Sequence, residues 1–211
     1  MNISKLQKQI DSGQALPVME RFYTIQGEGS NSGKPAFFIR TAGCDVGCVW
    51  CDVKESWNAD EHPVMQVDDL VEEAVKSGAP HVVITGGEPA MYDLSVLTKK
   101  LKDAKLQTWI ETSGVYPITG TWDLVCFSPK KFKKPLPGAY EKANELKVVI
   151  ANRNDFKWAQ NHAEKVKENC LLYLQPEWSR EEKLLPLIID YVKKNPDWRI
   201  SLQTHKYMEI P

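Results

Sequence analysis

Residues 36–52 read Ala-Phe-Phe-Ile-Arg-Thr-Ala-Gly-Cys-Asp-Val-Gly-Cys-Val-Trp-Cys-Asp, a short apolar run followed by three cysteines within eight residues. The run Ala36–Thr41 is rich in Phe and Ile, as a pleated and largely buried strand is. It passes through Ala42-Gly43 straight into a C-x3-C-x2-C loop carrying Cys44, Cys48 and Cys51. Spacings this tight let one loop bring three thiolates to a single metal centre, and Gly43 and Gly47 relieve the steric limits on such a turn. The cysteines fall just beyond the C-terminal end of the strand, the edge on which parallel α/β folds build their sites.

Outward from this stretch, short apolar runs alternate with amphipathic stretches. Further strands are expected at His81–Thr85, Gln107–Thr112, Leu124–Ser128, Glu145–Ile150, Leu171–Gln175 and Arg199–Gln203. Between them, Val67–Lys76 places Leu70, Val71, Ala74 and Val75 on one helical face. Leu94–Leu106, Phe156–Val166 and Glu181–Lys193 read the same way, and Gly78 sits where a helix C-cap belongs. Strands alternating with helices imply right-handed βαβ units and a parallel sheet. A complete eight-unit barrel takes ~250 residues, more than the 211 present. The expected fold is therefore α/β, a partial, open parallel β/α barrel of roughly six units, with a flat doubly wound sheet as the alternative. No repeat, low-complexity tract or linker divides the chain, so residues 1–211 are expected to form a single domain with a short N-terminal extension.

Hydrophobic residues make up 42% of the chain and charged residues 26%, with 27 basic and 28 acidic side chains and a net charge of −1. That balance gives no field to draw the protein onto nucleic acid or an anionic membrane. No apolar run approaches the roughly 20 residues of a membrane span, and Met1–Gln14 lacks the apolar stretch of a signal peptide. Five cysteines, an odd number with three crowded together, argue against a disulfide scaffold. A reducing cytoplasm and a metal account for them better.

A structural zinc site takes four protein ligands in closed tetrahedral geometry, and a 4Fe–4S cube usually takes four thiolates, one per iron. Three thiolates leave one iron open, as binding a substrate or cofactor at the metal requires. Zinc completed by His62 is the alternative, although that offset is not a familiar finger spacing. Cys126 and Cys170 sit in or beside apolar strands and read as small buried hydrophobes. Thr85-Gly86-Gly87-Glu88-Pro89 follows the His81–Thr85 strand. Its two glycines let backbone approach a ligand closely and Pro89 suits the first position of a helix; alone, the segment reads equally as a tight strand-to-helix turn. The segment Gly29-Ser30-Asn31-Ser32-Gly33-Lys34-Pro35 has the look of a phosphate loop. It lacks the first glycine at the needed spacing and carries Pro35 where Ser or Thr should hold magnesium. Lys130, Lys131, Lys133 and Lys134 form a short basic loop, ordinarily just solvated.

The cysteine triplet together with Thr85-Gly86-Gly87-Glu88-Pro89 resembles the radical S-adenosylmethionine (SAM) superfamily. More narrowly, most of the chain resembles the 7-carboxy-7-deazaguanine synthase family, whose core is shortened. The matching pieces include Thr24-Ile25-Gln26-Gly27-Glu28-Gly29, Phe38-Ile39-Arg40, Ile110-Glu111-Thr112-Ser113-Gly114, Ser128-Pro129-Lys130, Leu174-Gln175-Pro176 and Gln203-Thr204-His205-Lys206-Tyr207. The resemblance implies a lyase that converts 6-carboxy-5,6,7,8-tetrahydropterin to 7-carboxy-7-deazaguanine with release of ammonia, on the path to queuosine and other deazapurine nucleosides. It implies a 4Fe–4S cluster on Cys44, Cys48 and Cys51, with SAM bound at the open iron and the Gly86-Gly87-Glu88 segment against its amino group. No side chain is expected to act as the catalytic radical, which is carried by the 5′-deoxyadenosyl group derived from SAM.

By the same resemblance Ile25, Gln26, Gly27, Arg40, Thr85 and the main chain of Pro211 touch the pterin. Gly87, Ser128, Pro129, Lys130, Gln175, Pro176, Glu177 and Trp178 line the SAM site. A guanidinium suits a substrate carboxylate through its paired donors, although Arg40 reads equally as one half of an ordinary salt bridge. Relatives commonly carry Cys-Asp-Thr or Cys-Asp-Ser, with that hydroxyl near a magnesium ion. Here the order is Cys51-Asp52-Val53, and valine has no ligating atom. Asp52 is a hard oxygen ligand of the right kind, and magnesium stays open. An electron donor such as flavodoxin, a homodimer and a cytoplasmic location complete the expectation, with neither nucleic acid nor membrane as partner. Two other readings stand beside it: an activating enzyme that takes hydrogen from a partner protein, and a non-catalytic zinc or iron–sulfur module.

Overall fold

In the computed structural model, which describes residues 3–211, the chain opens with α1 (Ile3–Asp11), β1 (Ala15–Ile25) and β2 (Pro35–Thr41). There follow β3 (Val64–Gln66), α2 (Val67–Lys76), β4 (His81–Gly86), α3 (Ser95–Asp103), β5 (Gln107–Thr112) and β6 (Leu124–Phe127). The second half runs α4 (Pro137–Lys142), β7 (Glu145–Ile150), α5 (Asn154–Ala163), β8 (Leu171–Pro176), α6 (Glu181–Lys194), β9 (Trp198–Ile200) and α7 (Thr204–Met208). Met1 and Asn2, the start of the stretch judged not to be a signal peptide, lie outside the described residues. No helix among the described residues is long and apolar enough to cross a membrane.

The strands form a sheet ordered β3-β1-β2-β4-β5-β6-β7-β8-β9. From β2 onward neighbours are parallel and follow chain order, while β1 and β3 add an antiparallel edge. The sheet stays open, with β3 and β9 at its two ends. Seven parallel strands joined by six crossovers match the partial barrel expected from the strand count. The crossover between β5 and β6, residues 113–123, is a loop with no helix.

Every strand expected from the sequence is present, and β1 and β3 are additional. β1 hides in the sequence because a register shift between Val18 and Glu20 breaks its alternation midway, as a bulge does. Two boundaries also move. The expected Arg199–Gln203 strand ends at Ile200, because the chain turns into α7 with Gln203 at its N-cap. Pro89 opens a short 3₁₀ turn, Pro89–Met91, and the α-helix waits until Ser95.

Helix α2 matches its expected span. Asp68 and Asp69 in its first turn and Lys76 in its last favour the helix dipole. Gly78, at φ +73°, follows the C-cap Ser77 in the left-handed conformation that ends helices. Outward side chains of the strands, Ile39, Ile84, Ile110, Phe127, Leu146, Val148 and Leu174, pack against Leu70, Leu97, Leu101, Leu184 and Ile188 of α2, α3 and α6 to form the main core. Each fully buried side chain of this size stabilises the fold by about 1.5–3 kcal/mol. The inner face has only a small apolar plug, Ala36, Phe38, Val83 and Trp109. Beyond that plug, toward the C-terminal ends of the strands, the lining turns polar.

Candidate active site

A cavity of about 650 Å³ opens at the C-terminal ends of the parallel strands. Each residue expected at the site lines it except Pro129, which is buried in the turn between Ser128 and Lys130. The polar motifs that follow β2, β4, β5, β6 and β8 meet here because a parallel sheet presents all its strand ends on one edge.

The first wall is the cysteine loop. Its entry is fixed by main-chain bonds from Gly43 N to Ser56 O (2.7 Å) and from Cys44 N to Trp57 O (3.1 Å). Cys51 N closes the loop on Cys48 O at 3.0 Å, and Val46 and Val115 pack beneath Cys48. Burial pushes the Cys44 thiol up and the Cys48 thiol to about 11, with the nearby Lys130 ammonium pulling Cys48 the other way. A metal must therefore drive their deprotonation, as metal binding to thiols does. His62 is engaged elsewhere, with Nε2 2.7 Å from the Glu55 carbonyl. Among the described residues no three His, Cys, Asp or Glu side chains converge as ligands of a single ion. An iron–sulfur cube makes no such demand, since each thiolate binds a different iron. Three thiols from one loop facing one cavity fit that cluster.

Next to the loop, the Gly86–Pro89 turn is locked by close backbone approach. A Cβ on Gly86 would lie 2.2 Å from Thr41 O, and one on Gly87 would lie 2.3 Å from Gly43 O. Glu88, 1% exposed, ties this turn to the one after β5. Its carboxylate accepts from Ala90 N (3.1 Å), Ser113 N (2.8 Å), Thr112 Oγ1 and Ser113 Oγ. Four donors saturate a carboxylate, so Glu88 is a structural brace, and the segment is left to offer its main chain. Lys130 reaches back into the cavity, with Nζ 2.6 Å from Ser128 Oγ and 5.4 Å from the Trp50 ring centroid. Burial lowers its pKa. After β8, Gln175 Oε1 accepts from Ser201 Oγ (2.9 Å), and Glu177 caps the Trp178 turn through Ser179 N (3.0 Å).

The opposite wall is a buried charge network. Lys147 of β7, 3% exposed, bonds Glu28 and also Glu111 of β5, the latter at 2.9 Å. Gln26 Nε2 donates to Glu111 Oε1 (2.9 Å), and Gln203 Nε2 donates to Glu28 Oε1 (2.9 Å). Burial alone would raise the Glu28 pKa, but Lys147 and the hydrogen bonds outweigh it and hold the carboxyl below its usual value. Burial likewise opposes the charge on Lys147, and the surrounding acids overcome it, holding the ammonium's pKa well up. Cys126 belongs to this side. It is buried beside Glu111, Glu145 and Lys147, so its neighbours are charged where an apolar setting was expected. Cys170 does lie in the apolar core. Arg40 forms the ordinary salt bridge of one reading, its Nε donating to Glu20 Oε1 at 2.5 Å, and it also lines the cavity.

The last wall is the chain's C-terminal segment. Thr204 N and Oγ1 both lie 3.0 Å from Gly27 O, which seats α7 over the cavity. His205 and Pro211 line the cavity, and burial lowers the pKa of the His205 imidazole. Tyr207 packs edge-on against Trp178. Its apolar neighbour Met208 stays exposed.

Sequence reasoning did not single out Glu28, Glu111, Lys147, Gln203 or His205 as site residues. A signal was present for two of them. Glu111 in QTWIET and Lys147 in ELKVVI are charges inside otherwise strand-like runs, and strand alternation sets them opposite Ile110 and Leu146.

A cysteine loop, a glycine turn and strand-end motifs around one cavity in an open β/α sheet define a radical SAM enzyme. Residues 38–128 match the family model of the radical SAM superfamily. At full length, the chain is 56% identical over 211 residues to the 7-carboxy-7-deazaguanine synthase of Flavobacterium psychrophilum, covering 100% of both chains. It is 48% identical to the synthase of Synechocystis over 92% of this chain and 93% of the relative. The Escherichia coli synthase is 34% identical over 92% of this chain and 98% of the relative. The solved structure of QueE from Escherichia coli superposes with a TM-score of 0.82 at 31% identity, over 95% of this chain and 99% of that one. The chain therefore belongs to the 7-carboxy-7-deazaguanine synthase family. It is an enzyme, and the family implies a 4Fe–4S cluster and SAM.

Proposed function

We propose that this cavity converts 6-carboxy-5,6,7,8-tetrahydropterin to 7-carboxy-7-deazaguanine with loss of ammonia. One observation carries the reading: a single cavity joins the three-cysteine loop to the buried network of Gln26, Glu28, Glu111 and Lys147. The cluster and SAM, when bound, supply the one-electron chemistry that opens the reaction. The chain's own residues bind, orient and shield. Cys44, Cys48 and Cys51 hold the cluster. Gly87, Ser128, Lys130 and the segment 175–178 line the cofactor side. The amide of Gln26 and the carboxylates of Glu28 and Glu111 present acceptors to a ring edge rich in N–H groups, and charged acceptors make the stronger hydrogen bonds. Arg40, Thr85, Ile25, Gly27 and Pro211 enclose the rest of the substrate, with Arg40 toward its carboxylate. His205 of α7 and the preceding Gln203 close one side of the cavity.

An external one-electron carrier such as flavodoxin reduces the cluster, and the enzyme works as a cytoplasmic homodimer on a free small molecule. Residues 1–211 act as one radical SAM domain. The test is anaerobic reconstitution with iron, sulfide, dithionite, SAM and the carboxytetrahydropterin, with the product identified by mass. The deazaguanine mass is expected. SAM cleavage with the pterin unchanged would overturn the substrate assignment.

A further inference from the structure

Glu145 opens β7 on the same face as Lys147 and is 4% exposed. It does not line the cavity, and the reaction gives it no part. A buried carboxylate is costly unless it is compensated, and the neighbouring cation of its strand, Lys147, is engaged by Glu28 and Glu111. An apolar side chain would serve the sheet better at this position. The partner that accounts for the acid is Ser30, whose N and Oγ lie 3.0 Å and 2.6 Å from Glu145 Oε2 and both donate to it. A Cβ on Gly29, whose φ is +63°, would overlap the same carboxylate, so the backbone there is pressed against it.

Ser30 belongs to the stretch Gly29–Pro35 that has the look of a phosphate loop. In the fold it forms the tip of a closed loop between β1 and β2. Gln26 N donates to Lys34 O and Gly33 N to Gln26 O, both at 2.8 Å, which shuts the base of the loop. The tip is tied down twice, by Gly29 N on Ser201 Oγ (3.0 Å) and by Ser30 on Glu145. Between base and tip lies Glu28, whose main-chain N–H donates to Gln26 Oε1 at 3.1 Å. That bond turns the Gln26 amide so that its Nε2 meets Glu111. The path of this backbone therefore sets both polar side chains that the loop brings to the cavity, Gln26 and Glu28.

We infer that Glu145 is a positioning residue for substrate: by holding Ser30 it fixes the loop, and through the loop the places of Gln26 and Glu28. A carboxylate suits the task because charged acceptors make the stronger hydrogen bonds, and here one oxygen takes both donors of a single residue. The role rests on the proposed pterin reaction, since it presumes that Gln26 and Glu28 bind the substrate.

The test is anaerobic equilibrium dialysis of the carboxytetrahydropterin against reconstituted holoenzyme, with SAM present and no reductant, and with amide hydrogen exchange measured alongside. Glu145→Met should weaken pterin binding about tenfold, the scale of a lost charge-assisted hydrogen bond. Ser30→Ala loses only the hydroxyl and should shift Kd the same way by less, and Ser30→Thr should restore it. Exchange across residues 28–31 should quicken in Glu145→Met while β4 and β5 keep their protection. SAM affinity should hold, because Gln175 keeps its bond to Ser201. A residue that only stabilised the fold would lower Tm and leave the pterin Kd per folded molecule unchanged. That result, or unaltered exchange across 28–31, would overturn the inference, as would an equal loss of SAM and pterin affinity. Should Glu145→Met not fold, the Ser30 pair decides alone, and a Kd in Ser30→Ala equal to that of wild type would overturn it. Wild type that does not bind the pterin would overturn the substrate reading and this inference with it. Wild type that binds it, beside variants that bind equally well, overturns only the role of Glu145.

Discussion

The two faces of the same parallel strands differ more than any two separate parts of the molecule. Along β7, Leu146, Val148 and Ile150 enter the apolar core, while Lys147 and Val149 line the cavity. Along β5, Ile110 faces the core and Glu111 the cavity. Parallel strands usually read as continuous hydrophobic runs because helices cover both faces of the sheet. Here α2, α3 and α6 cover the outer face, and the inner face lines a polar cavity. The two faces carry different duties: the outer one holds the fold, and the inner one holds charges whose burial is tolerable only because they are paired.

If the duties are divided this way, the largest effect belongs to the cluster loop. Cys48→Ala should abolish SAM cleavage, since a cube deprived of one of three thiolates loses its hold. Cys126→Ala, a buried cysteine of the inner face, should keep the iron–sulfur absorbance. Loss of iron from the Cys126 variant would break the three-ligand account.

Lys147→Met should come next. It leaves Glu28 and Glu111 buried without their cation, and removing one partner of a buried ion pair costs about 3–5 kcal/mol. Urea unfolding measures it, and a Lys147→Met/Glu28→Gln variant should recover part of the loss. A destabilisation below about 1 kcal/mol would mean that the network is as solvated as a surface pair.

Leu146→Ala, one residue away on the other face, should cost about 3 kcal/mol as a core cavity. SAM binding per folded molecule should stay the same. A selective loss of SAM affinity would show that the faces are not independent.

The smallest effect concerns pH on the outer side. Burial pushes the His162 imidazole from its ordinary 6.5 to about 4, and Tyr140 Oη lies 2.9 Å from its Nδ1. A pKa depressed on folding means that the unfolded chain binds the proton more readily. The His162 contribution is thus intact above about pH 6.5 and is lost as pH falls toward 4. A His162→Gln variant should show a flatter decline of Tm over that window. An identical decline in both proteins would assign the acid sensitivity elsewhere.

The division of faces also explains how much was legible beforehand. The outer face was readable because burying Ile, Val and Leu at fixed spacing leaves a periodic trace, which located the parallel strands and helices α2, α3, α5 and α6. The cofactor wall was readable because one loop contributes three cysteines in a row, and a glycine turn needs adjacent glycines. Glu28, Glu111, Lys147 and Gln203 come from four separate places along the chain and meet only through strand order. No local spacing encodes that meeting. Pro129 went the other way: it sits between two cavity residues in sequence, yet the turn buries it.

The central claim is that the cysteine wall and the charged wall serve one reaction in one cavity. Carboxytetrahydropterin carrying deuterium on its pterin ring, given to the reduced enzyme with SAM, tests it most directly. The account predicts deuterium in the 5′-deoxyadenosine recovered from wild type, together with 7-carboxy-7-deazaguanine. Deoxyadenosine free of the label, with the pterin recovered intact, would contradict it.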